Sequence, residues 1–404
     1  MNAKSGYLRQ VKQSNLSQVL KCIWRMEQVS RIELVEKTGL TSGTITNLTQ
    51  DLIKVGLLRE EELSTGHVGR RRVNLRLNPK RLKMIGIDIG RTSYEVVITD
   101  LVGQTLRSTE RPLSAADKPE QVLDAVSASL KRITADMGLQ PSDLLGAGLS
   151  IPGPMNLQEG TLLVPPNFAS WEYYPVRREL EARLGMDILM NDDARTSALA
   201  ERWFGYGRKD PNFVYVTMGQ GIGGGIVSDG EVLQGSNGLY GQVGHITVMP
   251  DGELCECGNT GCWETVGSIP GILRRWAHGA GAERKTIDDF FAAVKEGEPR
   301  AERCLESTLK VMESTLTTLF NVYDPDLLIL GGKLYPYLQS YLPRIQNHVK
   351  ASVYPFFQHR VRIESASFGA SQSAVGAASL VFGSLMERPL DVLEALRSDE
   401  GEGA

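Results

Sequence analysis

The chain has 404 residues, 41% of them hydrophobic and 23% charged, which is the composition of an ordinary globular protein of two to three domains. The net charge of −4 conceals a division: residues 1–80 carry 14 Lys and Arg against 7 Asp and Glu, and the remainder carries 30 against 41. A head at +7 on a body at −11 excludes a uniformly basic binder, argues against a one-domain enzyme, and assigns an anionic partner to the head alone.

The N-terminal residues hold no signal-peptide core and no apolar run approaches the roughly 20 residues of a membrane span, so no membrane insertion and a cytoplasmic location are expected. Residues 15–28 place Leu16, Val19, Leu20, Ile23 and Trp24 at helical spacing. Ser30-Arg31-Ile32-Glu33 is a capping box opening a short helix that Gly39 is suited to end. Thr41 or Ser42 then caps a third helix through Ile45, Leu48 and Leu52. Short helix, Gly-containing turn and helix make a helix-turn-helix. The polar face of the third helix offers Ser42, Thr44, Thr46, Asn47 and Gln50, side chains suited to base edges and phosphates.

Two short strands follow, around Leu57-Leu58-Arg59 and Val73-Asn74-Leu75-Arg76-Leu77. Between them, residues 64–72 read as a wing carrying Arg70, Arg71 and Arg72, able to lie on phosphates or enter a narrow minor groove. The plainer alternative is a three-helix domain for protein contacts with a solvated basic face. Capping box, turn, polar face and Arg-rich wing agree with one another, and DNA is the better reading.

From Met84 the pattern becomes α/β. Met84-Ile85-Gly86-Ile87-Asp88-Ile89-Gly90 is a strand entering a tight turn, followed by a second strand at 94–99 and a hairpin turn at Val102-Gly103-Gln104. An amphipathic helix spans 119–137, and another strand ends in Pro152-Gly153-Pro154. Asn191-Asp192-Asp193 stands between strand 188–190 and helix 194–203, where an Asp on its own would be read as a helix N-cap. The strand 213–218 leads into Gly219-Gln220-Gly221-Ile222-Gly223-Gly224-Gly225 and then another strand, so a dinucleotide fingerprint, which opens a helix, is disfavoured. Leu327-Leu328-Ile329-Leu330-Gly331-Gly332 is a buried strand ending in paired glycines. The helices 301–319 and 371–385 are read chiefly as core, with a subunit interface as the other possibility.

Five cysteines are too few for a disulfide framework. Cys22 and Cys304 stand alone in apolar helical patterns, as buried thiols do. Cys255, Cys257 and Cys262 crowd together downstream of His245, and three thiolates with one imidazole meet the needs of a closed tetrahedral zinc site. The spacing is not that of a standard zinc knuckle, and reduced thiols in a surface loop are the alternative.

Asp88-Ile89-Gly90, Pro152-Gly153-Pro154, Asn191-Asp192, Gly221-Ile222-Gly223-Gly224-Gly225, Gly244-His245 and the block from Cys255 to Glu264 together resemble the ROK family (repressor, open reading frame, kinase) over essentially the whole chain. The head matches its repressor branch. The resemblance implies a winged helix-turn-helix at 1–80 and an actin-like, two-lobed ATPase fold. The lobes are expected at 81–193 and 194–404, with the option that the C-terminal helix returns to the first. It also implies one structural Zn2+ held by His245, Cys255, Cys257 and Cys262, and a sugar cleft formed by Asn167, Asn191, Asp192, Gln242, His245 and Glu264. Asp192 takes the place of the kinase base.

Three departures from the kinase pattern stand out. Arg91 replaces a glycine after Asp88-Ile89-Gly90, Gln220 replaces a threonine between Gly219 and Gly221, and Gln242 replaces a glutamate. The first two work against ATP use and the third retunes sugar choice. The reading is therefore a binding protein without catalytic residues: a regulator, most simply a repressor, that leaves operator DNA when a monosaccharide or sugar phosphate closes the cleft and moves the paired heads of a homodimer or tetramer. The rivals are a sugar kinase with a DNA-binding head and a repressor controlled by a sugar-transport protein.

Overall fold

A computed structural model describes residues 3–62, 73–114, 116–166, 168–277 and 285–401. The head comprises α1 (Ala3–Met26), β1 (Val29–Ser30), α2 (Arg31–Thr38), α3 (Ser42–Lys54), β2 (Leu58–Glu62) and β3 (Val73–Leu77), its strands ordered β1-β3-β2. Local chemistry sets the turns. The Ser30 and Glu33 side chains cap α2 reciprocally, and Gly39 ends it at φ +69°. Of the two candidate caps for α3, Thr41 serves: its Oγ1 accepts from the Thr44 N–H at 3.2 Å.

Helix α1 starts well before residue 15. Its early turns are fixed by polar contacts to the C-terminal helices, a pattern that leaves no apolar period to read. Arg9 pairs with Asp391 and Glu394 at 2.7 Å each, and Ser17 Oγ donates to the Met386 carbonyl at 2.6 Å.

The first large sheet is built from β4 (Lys83–Ile89), β5 (Ser93–Asp100), β6 (Thr105–Pro112), β7 (Leu144–Ser150) and, beyond the small hairpin of β8 (Met155–Asn156) and β9 (Thr161–Leu162), β10 (Ile188–Asn191). Its order is β10-β7-β4-β5-β6, with β4, β5 and β6 antiparallel and β7 and β10 parallel to β4. Helices α4 (Pro119–Asp136) and α5 (Val176–Leu184) supply its crossovers, and α6 (Asp193–Phe204) leads out of it.

The second sheet repeats the plan. Strands β11 (Phe213–Met218), β12 (Ile222–Ser228), β13 (Glu231–Val232), β14 (Leu327–Gly331) and β15 (Ile363–Ser365) run in the order β13-β12-β11-β14-β15, three antiparallel and then two parallel. Helices α7 (Trp263–Gly267), α8 (Ile269–Ala277), α9 (Ile287–Lys295), α10 (Pro299–Tyr323), α11 (Tyr335–Leu338) and α12 (Leu342–Ser352) surround it. After β15 the chain forms α13 (Gln372–Glu387) and α14 (Pro389–Gly401).

Helix α13 lies against β4, β7 and α6, with Ala374, Val375, Ala377, Ala378, Phe382 and Leu385 buried. Gly86 and Gly148 make this approach possible, because a Cβ at either would collide with the carbonyl of Ala374 or Ala377. Leu305, Leu309, Met312, Leu316 and Phe320 of α10 are likewise buried, so these two long helices are core. The head's core is continuous with theirs: Leu16, Leu20, Ile23 and Trp24 share one cluster with Trp203, Phe382, Leu385, Leu390 and Leu393.

Candidate functional site

A cleft of about 810 Å3 opens at the carboxyl ends of β4, β11 and β14, where open α/β sheets hold ligands. Asp192 lines it and also caps α6: Oδ1 accepts from the Arg195 N–H at 2.9 Å, and Oδ2 meets Arg195 Nη1 at 3.2 Å. The cap and the cleft contact are thus the same residue. Burial pushes the Asp192 carboxyl up to about 6, with Arg195 opposing the shift and Asp193 adding to it. Asp88, which receives the Ser150 hydroxyl at 2.8 Å, is pushed up to about 7, chiefly by burial.

Gln242, His245 and Glu264 line the same cleft. Glu264 is oriented by the backbone: its Oε2 accepts from the Ile222 N–H at 2.8 Å. Gly221 leaves room for this contact, since a Cβ there would stand 2.6 Å from that oxygen and push the Glu264 carboxylate aside. Asn191 behaves differently from expectation. It is 7% exposed, is absent from the cleft wall, and turns its Oδ1 back to accept from the Asp192 N–H at 3.0 Å. It holds the Asp192 turn and leaves the cleft to its neighbour. Asn167 lies outside the described residues.

His245, Cys255, Cys257 and Cys262 bring one ligand atom each to within 4.8 Å of one another. Cys255 Sγ is 3.7 Å from His245 Nδ1, and Cys257 Sγ is 3.7 Å from Cys262 Sγ. A tetrahedron with metal–sulfur bonds of about 2.3 Å has edges of about 3.8 Å, so the donor set and its spacing suit a divalent metal. Because Nδ1 faces the thiols, Nε2 is the ring atom available to the cleft. Cys22 is half-buried and Cys304 is buried.

Sequence reasoning missed two cations. Lys333, just after β14, reaches the other sheet: Nζ donates to Ser93 Oγ at 2.7 Å and lies 3.5 Å from both Thr92 Oγ1 and a Glu110 oxygen. No local signal reveals a contact made over 240 residues. Arg195 did carry a signal, since a basic residue in the first turn of a helix opposes the macrodipole and implies a specific partner. Arg91 remains at the cleft, its Nε donating to the Pro166 carbonyl at 2.9 Å.

In the head, Ser42 and Asn47 are exposed on α3, and Thr44 and Thr46 are half-buried. The Thr46 hydroxyl donates to the Ser42 carbonyl at 2.9 Å, and those of Thr41 and Thr44 pair at 2.9 Å. Arg70, Arg71 and Arg72 lie outside the described residues. Among the described residues, no helix is long and apolar enough to cross a membrane.

The model of the ROK family matches residues 84–383. The chain belongs to the ROK family. Among curated ROK relatives, the xylose repressor of Caldicellulosiruptor bescii is 25% identical over 391 residues, covering 94% of this chain and 98% of its own. A glucokinase of Halalkalibacterium halodurans is 28% identical over 311 residues, 74% of this chain and 94% of its own. A crystal structure of a ROK transcriptional regulator, a homologue of the E. coli MLC protein, superposes with a TM-score of 0.79 at 26% identity, covering 95% of this chain and 99% of its own. A match over 95% of the chain necessarily extends into the residues that precede the ROK region at 84. The fold is the two-lobed, actin-like one of ROK sugar kinases.

Proposed function

We propose that the protein is a sugar-responsive transcriptional repressor of carbohydrate uptake or catabolism genes. The observation that carries this reading is the position of α6. Its N-cap, Asp192, lines the cleft, and its last turn, at Trp203, packs on Trp24 of the helix-turn-helix head. A sugar gripped by Asp192, Gln242, His245 and Glu264 therefore acts on one end of a helix whose other end touches the DNA reader. In this reading residues 1–80 form the winged helix-turn-helix, 81–193 and 194–404 the two lobes, and α13 ties them together. Ser42, Thr44, Thr46 and Asn47 meet the operator, and Arg70, Arg71 and Arg72 add phosphate contacts. The sugar changes the balance between two arrangements of the heads only through its differential affinity for them.

His245, Cys255, Cys257 and Cys262 would hold Zn2+, which supplies four bonds that fix the loop and the His245 ring, and no reaction. The working form is a homodimer or tetramer in the cytoplasm, as paired operator half-sites require. The full-length repressor relative and the regulator homologue favour this reading. One observation favours a sugar kinase instead: Asp192 stands in the cleft with its carboxyl near 6, suited to accepting a proton.

Fluorescence anisotropy on DNA from upstream of the protein's own gene, titrated with a panel of sugars and sugar phosphates, tests the reading. Salt-sensitive binding reversed by one ligand supports it. Turnover of ATP with a sugar, and no DNA binding, would replace it with the kinase.

A further inference from the structure

Arg195 is 2% exposed, in the first turn of α6, and its guanidinium is committed to three acceptors. Besides Asp192 it reaches the carbonyls of Gly238 at 2.5 Å and Tyr240 at 3.0 Å. A buried cation at the positive end of a helix is unfavourable unless its partners compensate, so the position is demanding. The partners it holds belong to a segment with its own character. Gly235, Gly238 and Gly241 all have positive φ, at +70°, +67° and +94°, so the backbone here follows a path that only glycine adopts readily. Between the last two stand Leu239 and Tyr240, both lining the cleft and both exposed, at 44% and 37%. The Tyr240 ring is backed edge-on by Tyr323, with centroids 6.3 Å apart. Gly241 and Gln242, which follow directly in the chain, line the cleft as well.

We infer that Tyr240, with Leu239, is the apolar wall of the sugar site and selects pyranose rings, and that Arg195 is the positioning residue that fixes this wall against Asp192. The inference rests on the sugar-binding reading of the cleft. A ring-form sugar presents axial C–H bonds on a flat face while its hydroxyls point outward. Asp192, Gln242, His245 and Glu264 supply polar partners for the rim, and the phenol ring supplies a rigid flat surface for the face. An open-chain polyol of the same length offers the hydroxyls without the face. Tying the wall to Asp192 through one guanidinium keeps the two recognition elements in register, so the polar and apolar contacts are made together or not at all.

The test is isothermal titration of the full-length protein with xylose, glucose and N-acetylglucosamine, each ring sugar compared with its open-chain counterpart, such as xylitol or sorbitol. Tyr240→Ala is expected to weaken binding of the preferred pyranose by about fivefold or more while changing alditol binding by less than about twofold. Tyr240→Phe keeps the ring and is expected to retain most of the preference for pyranose over alditol that Tyr240→Ala loses. Arg195→Met is expected to lose the same pyranose preference and to speed amide exchange across residues 235–241, and Arg195→Lys to restore part of both. A purely structural role for Arg195 would not alter the ratio of pyranose to alditol affinity. Unchanged pyranose binding in Tyr240→Ala overturns the inference and leaves the sugar cleft intact. Failure of the wild-type protein to bind any member of the panel overturns the sugar reading and the inference with it.

Discussion

The indole rings of Trp24 and Trp203 meet edge to face with centroids 4.9 Å apart, and Trp24 Nε1 donates to the Trp203 carbonyl at 3.0 Å. Trp24 closes the first helix of the head, and Trp203 closes a helix that begins in the cleft. Arg208 reinforces the junction, donating to the Trp24 carbonyl at 2.9 Å and pairing with Glu27 at 3.0 Å. The 12 residues of α6 span about 18 Å, so a tilt at one end displaces the other with little loss in a close-packed interior.

Trp24→Phe removes the N–H bond and keeps most of the apolar area. Sugar affinity is expected to stay within about twofold, while sugar-driven release from DNA weakens several-fold, as for coupling energies of about 1 kcal/mol. Titrating sugar against bound operator gives both quantities. Release identical to wild type would show that the signal takes another route.

The double duty of Asp192 can be separated. Asparagine is as good a cap as aspartate, so Asp192→Asn is expected to keep the cap while lowering sugar affinity through loss of the charge-assisted contact, and to lower the melting temperature by what the buried Arg195 cation loses with its carboxylate partner. Asp192→Ala removes both and should cost about 1 kcal/mol of stability in addition. Thermal melts with and without sugar distinguish the two. A fall in stability as large in the Asn variant as in the Ala variant would make the charge, through Arg195, the structural element.

Asp88 gives a pH signature. Its carboxyl is raised from 3.8 to about 7, so the folded protein binds the proton more tightly than the unfolded chain does. The associated stability is present below about pH 4 and is lost as pH rises towards 7. Asp88→Asn is therefore expected to stabilise the protein above pH 7, by no more than about 4 kcal/mol, and to have little effect at pH 4. Denaturant melts across that interval check the sign. Equal effects at both ends would mean that Asp88 is not the titrating group.

The cysteine centre is tested by contrast. Cys257→Ser is expected to reduce bound zinc, measured by elemental analysis, and to lower the melting temperature, because binding energy at such sites is folding energy. Cys304→Ser, in the core of α10, is expected to leave the metal content unchanged. Full zinc occupancy in both would remove Cys257 from the ligand set.

Much of this architecture could be read from local chemistry. Ser30, Glu33, Gly39 and Thr41 declare helix ends within four residues of themselves, and His245 with the three cysteines declares a cluster within eighteen. Asp192 was legible locally as a cap, and its place in the cleft came from the resemblance to the ROK family. What escaped is what depends on distant partners: the early turns of α1, held by residues near 390; the Lys333–Ser93 contact; and the hold of Arg195 on two carbonyls. Asn191 was placed at the cleft by the resemblance alone, which matches positions and does not say which way a side chain turns.

The shared core of head and C-terminal helices has a consequence for modularity. The DNA reader is not a cartridge that can be cut at residue 80 and joined to another sensor. An isolated head would present Leu16, Leu20, Ile23 and Trp24 without the Phe382, Leu385 and Leu393 that complete their cluster. On the proposed reading of α3, a chimaera with a new operator preference would have to exchange the face of that helix alone, or carry α13 and α14 along with the head. In the first case the sugar sensor keeps its lever; in the second, the two ends of the chain travel as one part.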